Sequence, residues 1–455
     1  MMKKIAVLSM LLLCGCQKFL EVDKSPNMIE NEAVYSNEAN ALAALNGIYV
    51  QMRNSNLSFA NGAMSIYLGL YTDELTYSLT NVNYQLFYAN AIAADNSAVN
   101  SVFWNEPYHL IYRINSMLEG ISKSTMLAEN FKNQARGELL FLRSFIYFYL
   151  TQLFGDVPLV LTTDYEANQY LPRNVQEDIL RRLIKDLEDA YSVVGTDYPS
   201  AGKARPNKDV LAAFMARVYL TMGNWDKALQ RSEQLINAKR YPLLQHDLKQ
   251  AFAIGAPETI WEIASKNESA NSSEGINFIP ARPTAAPTFT LSDRILSLFD
   301  AKDSRLRDWL GVNIIAGVSY YYPNKYKNRS TTAPVTEYNV VLRMPEQYLI
   351  AAEACLQLGD AGRAIGYINK IRERAGIVPI AASINIEALH RELLDERERE
   401  LFTEWGHRWL DLKRNKLLDA TLSPIKPNWK KDAALFPIPV NQLNTNTDLK
   451  QNPGY

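Results

Sequence analysis

Residues 345–376 contain the pattern that most constrains the fold of this chain. Two segments each place apolar residues on one helical face, which predicts two amphipathic helices. The recurring apolar residues are Leu349, Ala352 and Leu356 in the first segment and Ala364, Ile368, Ile371 and Ala375 in the second. Between the segments, Gly359 tolerates the positive φ that ends a helix, and Asp360 supplies an oxygen that caps the next one. The pattern predicts two antiparallel helices joined by a tight turn.

A second copy of this pattern occurs earlier, at residues 207–239. Aligning Gly223 with Gly359 brings small and apolar positions into register. The aligned pairs are Ala216 with Ala352, Leu220 with Leu356, and Ala228 with Ala364. Two copies in register favour a helical-repeat scaffold over one isolated amphipathic helix. We therefore predict an all-α fold built on tetratricopeptide-like helical pairs, although such pairs alone do not say what the scaffold binds.

The rest of the chain divides into further helices and irregular stretches. Helical periodicity or a long apolar run occurs at residues 37–53, 103–120, 131–154, 174–194, 291–310 and 386–404. Three stretches lack a sustained period and are rich in Tyr, Asn, Ser or Pro, namely residues 67–100, 265–290 and 317–339. Long irregular segments in a compact protein are unusual unless they are functional. We expect these three to form one loop-rich region, 67–100 with 265–339, on the side away from the repeats.

The N-terminus, MMKKIAVLSMLLLCGC, has a basic start and an apolar run too short to span a bilayer, which fits a signal peptide. Its end resembles a bacterial lipobox, which implies cleavage after Gly15 and a lipid on Cys16. The alternative is ordinary signal cleavage nearby. Several acyl chains on one cysteine anchor a protein stably to a membrane. We expect a signal peptide at 1–15, a lipidated tether at 16–32 and a folded domain at 33–455.

Composition and motifs argue against several classes of function. The formal net charge is −1 without a basic tail, so nucleic acid is a poor candidate ligand. The four histidines are isolated, and no metal, phosphate or dinucleotide motif is present. Once Cys14 has left with the signal peptide and Cys16 is acylated, Cys355 has no disulfide partner, and its apolar helix face does not suit a nucleophile. We predict no catalytic residue, no metal and no cofactor.

One acidic cluster is the best candidate for catalysis. Glu396, Glu400 and Glu404 recur at four-residue spacing on one helix face, and two neighbouring carboxylates are the machinery of glycoside hydrolysis. However, Arg397 and Arg399 lie among them, and hydrolase carboxylates usually flank the substrate from different elements. A salt-bridged helix face is the favoured interpretation, and a hydrolase is the alternative.

The composition favours a binding site made of aromatic rings. The chain has 25 Tyr, 16 Phe and 7 Trp, many of which must belong to the core. Rings in loops stack on the apolar faces of sugars, while Asn, Asp and Arg bind the hydroxyls. In an extended segment Tyr321 points opposite to Tyr320 and Tyr322, and the alternative is a strand or turn packed on the repeats. The candidate ligand-binding residues are Tyr71, Tyr77, Tyr84, Asn277, Arg282, Trp309, Tyr320, Tyr321 and Tyr322.

Four segments, in order along the chain, carry a family resemblance. They are FLRSFIYFYLTQLFGDVPLV (141–160), ARPNKDVLAAFMARVYL (204–220), the later helical pair followed by ERERELFTEWGHRWLDLKR (396–414), and LFPIPVNQLNTNTDLKQNPGY (435–455). Together with the lipobox, they resemble the SusD/RagB family of outer-membrane nutrient-binding lipoproteins of Bacteroidetes.

This resemblance implies a fold and a role. The fold is a SusD-like scaffold with tetratricopeptide-like pairs near residues 131–239 and 345–404, and residues 404–408 with Asp411 are expected to tie the last helix into the core. The protein would be no enzyme but a cell-surface lipoprotein that hands oligosaccharides, or in some members peptides, to a SusC-like TonB-dependent transporter. The shared motifs belong to the scaffold and transfer no ligand residue. A purely structural repeat adaptor is the remaining hypothesis.

Overall fold

The computed structural model describes residues 31–53, 55–245, 247–264 and 270–455. The predicted signal peptide and Cys16 lie outside the described residues. The helices of the first half are α1 (Asn31–Val34), α2 (Glu38–Met52), α3 (Ala63–Tyr71), α4 (Val82–Tyr88), α5 (Glu106–Lys123), α6 (Glu129–Phe154), α7 (Tyr165–Asn168), α8 (Gln176–Val193), α9 (Lys208–Thr221) and α10 (Trp225–Ala238). Strand β1 is Leu75–Thr76, and a π-helix, Val99–Asn105, runs into α5.

The second half contains the remaining strands and the later helical pair. The strands are β2 (Thr259–Ile263), β3 (Thr290–Leu291), β4 (Leu310–Ile315), β5 (Val318–Pro323) and β6 (Asn339–Arg343). The helices are α11 (Ser273–Phe278), α12 (Asp293–Leu298), α13 (Ser304–Trp309), α14 (Met344–Gln357), α15 (Ala361–Ala375), α16 (Ile386–Leu401), α17 (His407–Arg414), α18 (Leu418–Leu422) and α19 (Val440–Thr445), with 3₁₀ turns at Leu248–Gln250 and Lys431–Ala434. The strands form three antiparallel pairs, β1–β3, β2–β6 and β4–β5. The mostly helical architecture confirms the predicted fold class.

Both predicted helical pairs are present, as α9–α10 and α14–α15. Gly223 and Gly359 end the first helix of each pair with φ of +70° and +84°. The Arg363 N–H donates to Asp360 Oδ1 at 3.0 Å and so opens α15 as predicted. All seven apolar positions predicted for the later pair are buried. The turn chemistry and the helical period therefore identified these elements correctly.

The two pairs belong to one continuous stack of helices. Helix α6 packs on α8, α8 on α9, and α9 on α10; α10 then packs on α14, and α16 contacts both α14 and α15. One large hydrophobic core joins the earlier helices to the strands and the C-terminal segment, and a smaller core lies within α14, α15 and α16. Each helix buries a face on its neighbours, so the stack is one extended frame.

Four predictions of local structure were wrong in part, and the first is that residues 265–290, expected to be irregular, contain α11. Residues 67–100 contain the end of α3, β1 and α4; α3 is buried on every side and so lacks the polar face that gives an amphipathic period. Residues 317–339 contain β5, whose tyrosines occupy both faces and hide the alternation of a strand. Residues 291–310 form two short helices instead of one, because Asp303 interrupts the run and caps α13 through the Arg305 N–H at 2.9 Å.

Residues 404–411 tie α17 to the rest of the protein as predicted, but α17 is not the last helix, because α18 and α19 follow it. Trp405 Nε1 donates to the Val340 carbonyl at 2.9 Å, which links this segment to β6. Arg408 donates two hydrogen bonds to the Asp73 carboxylate at 2.8 and 2.6 Å, which links α17 to the segment after α3. Residues 404–411 therefore connect the end of the helical stack to the irregular region.

The packing of the later pair is tested by two leucines close in sequence. Leu356 is 4% exposed within the smaller core, whereas Leu358 is 43% exposed. We expect Leu356→Ala to lower the free energy of unfolding by about 2–5 kcal/mol, because it leaves a cavity. The control, Leu358→Ala, should change it by less than about 0.5 kcal/mol. Urea unfolding followed by circular dichroism measures both, and equal losses would contradict this packing.

Candidate ligand-binding surface

The three irregular segments meet in the structure. Strands β1 and β3 pair with Leu75 opposite Leu291 and Thr76 opposite Thr290, which joins the first segment to the end of the second. Strand β3 lies beside β5, which brings in the third segment. These strand contacts bring parts of the three segments together.

Aromatic rings from the first two segments form a cluster beside these strands. The ring centroids of Tyr84 lie 5.3 Å from Tyr77 and 5.0 Å from Phe289. Tyr77 is buried, and its hydroxyl accepts the Asn81 N–H at 3.0 Å. Tyr84 is half-buried, and burial together with the nearby Tyr77 raises the pKa of its hydroxyl to about 12. Tyr84 is therefore the surface member of the cluster, supported from below by Tyr77 and Phe289.

Strands β4 and β5 form a hairpin that carries the three consecutive tyrosines. The opposed pairs are Tyr320 with Asn313, Tyr321 with Val312, and Tyr322 with Gly311. Because successive side chains of a strand alternate, Tyr320 and Tyr322 share one face and Tyr321 occupies the other, as predicted for an extended segment. All three side chains are half-buried.

The face that carries Tyr322 combines aromatic and polar groups. The Tyr322 ring lies over Gly311, where an added Cβ would come within 2.2 Å of the ring, so only glycine leaves it room. Asn313 Nδ2 donates to the carbonyls of Arg282 and Ala285 at 3.2 and 2.7 Å, which fastens the 282–285 loop to the hairpin. The Arg282 side chain itself is exposed.

The opposite face of the hairpin is apolar. Tyr321 packs partly against the large core, and the neighbouring Val312 and Ile314 on the same face are exposed. This face offers aliphatic surface but few hydrogen-bonding groups. The face of Tyr320 and Tyr322 therefore suits a ligand that combines apolar faces with hydroxyls better than the face of Tyr321.

Buried ion pairs hold the base of the hairpin. Arg305 of α13, just before β4, bonds Glu396 and Glu400 of α16 at 2.7 and 3.0 Å. Lys325, just after β5, donates to the Glu400 carbonyl at 2.8 Å and pairs with the Glu404 carboxylate. Burial lowers the pKa of Lys325 to about 8, against the opposing effect of Glu404. Both ends of the hairpin are thus anchored to one helix of the frame.

The three carboxylates considered for hydrolysis are structural. Glu396, Glu400 and Glu404 are buried. Besides the hairpin contacts, Arg374 pairs with Glu400 at 2.9 Å and Arg343 with Glu404 at 2.7 Å. The predicted salt-bridged face is confirmed, although it lies in the interior instead of facing solvent. With their oxygens directed at guanidinium groups, these carboxylates do not flank a substrate.

Several candidate residues serve the fold. Tyr71 and Trp309 are 0% exposed, and Trp309 Nε1 donates to the Leu248 carbonyl at 2.8 Å. Neither ring presents a face to a ligand, so we remove both from the proposed site. Asn277 uses its amide to hold the Asn56 side chain at 2.9 Å, beside α11. An aromatic residue in an irregular stretch is not necessarily exposed to solvent, because large aromatic side chains also dominate the packing of protein cores.

Two residues of this surface were not anticipated from the sequence. Phe289 supports Tyr84, and Asn313 fastens the loop that carries Arg282. Both act through partners far away along the chain, and neither belongs to a recognisable local motif. Only the assembled strands bring them to the surface.

The described ranges show no metal centre and no membrane span. Within residues 31–53, 55–245, 247–264 and 270–455, no group of His, Cys, Asp and Glu side chains is placed to hold a metal ion. In the same ranges, no helix combines the length and apolarity needed to cross a bilayer. Burial, reinforced by Arg217, lowers the pKa of His407 well below its usual value, so this histidine is neutral and structural.

Two family models match this chain. The model described as SusD family matches residues 311–455, and the model described as starch-binding, associating with the outer membrane, matches residues 18–220. The chain belongs to the SusD family. The two matches include Tyr84 and the β4–β5 tyrosines, whereas Arg282 and Phe289 lie between the matched ranges.

Relatives resemble this SusD-family chain over nearly its whole length. SusD-like protein P2 of Formosa agariphila is 25% identical, with 99% of this chain and 98% of that protein covered. A crystal structure of a SusD superfamily protein from Bacteroides vulgatus superposes with a TM-score of 0.82 at 23% identity, covering 92% and 99% of the two chains. A structure described as a putative sugar binding protein from the same species has a TM-score of 0.75 at 25% identity, covering 92% and 98%.

The ion network under the hairpin makes a prediction about acid stability. Burial acts to raise the pKa of Glu400, but Arg374, Arg343 and Arg305 outweigh it and hold the pKa well below its usual range. In the unfolded chain the pKa of a glutamate is about 4.3. The folding stability that ionised Glu400 contributes is therefore present above this pH and is lost as the pH falls below it. We expect Glu400→Gln to cost about 3–5 kcal/mol at neutral pH, and the difference from wild type to shrink in acid. Urea unfolding at a series of pH values measures it.

An exposed acid on the same helix is the matched control. Asp395 pairs with Arg294 at 3.0 Å, and both side chains are partly open to solvent. Asp395→Asn should therefore cost no more than about 1 kcal/mol. A Glu400→Gln variant as stable as the Asp395→Asn variant would contradict the role of the buried network.

Proposed function

We propose that this protein binds glycans at the cell surface and delivers them to a SusC-like TonB-dependent transporter in the outer membrane. The observation that carries the proposal is the meeting of three irregular segments, which places half-buried Tyr84, Tyr320 and Tyr322 in one region with an exposed Arg282. The starch-binding description of one matching family model supports this class of ligand. The likeness to a putative sugar binding protein adds support.

The chemistry of this surface suits sugars. A sugar ring presents C–H groups that pack on the face of a tyrosine, and its hydroxyls need donors and acceptors around the rim. The exposed Arg282 supplies donors. The rings are held by the β4–β5 hairpin and by the Tyr77 support, so little side-chain freedom is lost on binding. Such a surface captures a ligand and has no need to transform it.

Surface attachment rests on the lipobox that ends at Cys16. Acyl chains on this cysteine would hold the folded domain at the membrane through the tether of residues 16–32. Transfer to a transporter needs the binding protein to stay beside the channel mouth, and a short tether keeps it there. The family description that names association with the outer membrane supports this placement.

Peptides are the alternative ligand. Tyrosine rings and an arginine also bind peptide side chains and carboxylates, so the same surface suits both classes. The starch-binding family description favours glycans. A ligand panel that contains both classes decides between them.

The tyrosine face is tested by alanine substitution. Isothermal titration calorimetry against soluble amylopectin, xylan, mannan and a tripeptide mixture identifies the ligand of the wild type. We expect Tyr320→Ala to weaken binding of that ligand by about 1–3 kcal/mol, because a stacking platform is lost; the range is that of base–aromatic stacking. Tyr112→Ala, on the exposed side of α5, is the matched control and should leave affinity unchanged.

Comparison with Tyr321→Ala identifies the face that binds. A larger loss for Tyr321→Ala than for Tyr320→Ala would place the ligand on the apolar face of the hairpin. If the peptides bind tightly and no polysaccharide binds, the ligand class is peptides and not glycans. Binding of neither class would overturn the proposed function.

Anchoring is tested separately. Cys16→Ser removes the acyl acceptor, so we expect the protein to leave the outer-membrane fraction and appear in soluble fractions. Fractionation of cells followed by immunoblotting measures the distribution. Metabolic labelling with an alkyne fatty acid should mark the wild type and not the variant. Labelling of both would contradict lipidation at Cys16.

A further inference from the structure

A cavity of about 530 Å³ has none of the tyrosines of the proposed binding surface in its lining. Its walls are the turn after α4, the segment before and within the Lys431–Ala434 turn, and the last residues of the chain. Its lining includes Asn90, Asn428, Trp429, Lys430, Asp432 and Tyr455. We call it the C-terminal cleft. It shares no lining residue with the β4–β5 hairpin, and its size falls in the range of ligand pockets, about 300–1,000 Å³.

Two aromatic rings line the C-terminal cleft in fixed orientations. Trp429 is half-buried, and its Nε1 donates to Asp419 Oδ1 at 3.0 Å. Tyr455 is 38% exposed, and its hydroxyl donates to the Leu435 carbonyl at 2.9 Å. In both, the polar end is occupied by the protein, so the ring itself is what the cleft presents. A partly open tryptophan is unusual here, since most tryptophans of the chain are core residues. The buried ones are Trp104, Trp261, Trp309, Trp405 and Trp409.

The C-terminal cleft also contains a buried acceptor without a donor. Asn90 is only 5% exposed, and its Nδ2 donates to the Tyr71 carbonyl at 2.9 Å. Its Oδ1 has no hydrogen-bond partner among the described residues. A buried unpaired acceptor costs about 1–3 kcal/mol, and a donor brought by a ligand would remove that cost. Asn90 therefore brings a buried, unpaired acceptor to the wall of the cleft.

The rim of the C-terminal cleft adds free polar groups. Asp432, Asn428 and Lys430 are exposed. None of their side chains forms a hydrogen bond or ion pair to another part of the described chain. Because Asp432 and Lys430 carry opposite charges, the rim favours neither an anionic nor a cationic ligand. Rings with amide, carboxylate and ammonium groups around them match a neutral polyhydroxylated ligand.

We infer that the C-terminal cleft is a second sugar-binding site, which holds one or two units of a neutral glycan between Trp429 and Tyr455. The inference rests on the proposed function for the class of ligand, while the cleft is independent of the tyrosine surface. Asn90 Oδ1 and the Asp432 carboxylate accept sugar hydroxyls, and Asn428 and Lys430 donate to ring or hydroxyl oxygens. Two sites on one chain hold a long glycan more tightly than either site alone, because the second contact is intramolecular.

Fluorine NMR of the full chain tests this directly. Fluorotryptophan labelling gives one signal for each of the seven tryptophans, and Trp429→Phe assigns the signal of the cleft. The probes are maltoheptaose, xylohexaose and mannohexaose, titrated separately. We expect one probe to shift the Trp429 signal while the buried tryptophans stay unmoved. This shift should persist in the Tyr320→Ala variant, since that substitution affects only the other surface.

Variants of the C-terminal cleft give a second readout. Trp429→Ala and Asp432→Asn should each weaken the probe's binding to the cleft by about 5- to 100-fold, the range expected for a lost stacking ring or hydroxyl acceptor. Trp225→Ala, a half-buried tryptophan of the helical repeat, is the matched control and should leave it unchanged. If Trp429→Ala does not fold, the Asp432→Asn variant still tests the cleft, because Asp432 is exposed.

The outcomes separate this inference from the proposed function. A probe that binds the wild type without moving the Trp429 signal overturns the second site and leaves the proposed function standing. A Trp429 shift that disappears in Tyr320→Ala also overturns it, because the signal then reports the first surface. If neither the probes nor the polysaccharides bind, glycan binding fails at both sites.

Discussion

The pairing of three buried carboxylates, two on α16 and one just after it, is the constraint on which the rest of the structure depends. An ionised side chain in a protein interior costs several kcal/mol unless an opposite charge meets it. Glu396, Glu400 and Glu404 find these charges on α13, β6 and α15, with Arg305 and Arg343 among the donors. Because the partners come from separate parts of the chain, the network is satisfied only when the helical stack, the strands and the irregular region assemble together.

This network also explains how a frame of helices controls a surface made of loops. Arg305 and Lys325 bracket the β4–β5 hairpin, and both are bonded to α16. The hairpin then positions the 282–285 loop through Asn313, and β3 brings the Tyr84 cluster alongside. The buried charges and cores therefore stabilise the frame, and the proposed binding surface consists of rings at the periphery.

The sequence predicted those elements whose signals are local. The helical pairs were identified by the period of their apolar residues and by turn chemistry at Gly359 and Asp360, both of which act within a few residues. The buried helix α3 was missed because a helix that is apolar on every side has no period to detect. Trp309 and Tyr71 were placed at a surface although both lie in the core. Their burial depends on Leu248 and on other distant partners that no local pattern reveals.

By itself, the sequence determined the class of fold, its repeated helical pairs and its family resemblance. These follow from periodicity, from turn residues and from motifs, each of which is written within a short run of the chain. Tertiary structure alone decided which rings face solvent, which carboxylates are clamped by arginines, and where the C-terminal cleft opens. Exposure and pairing are properties of residues far apart in sequence, so they exist only once the chain has packed.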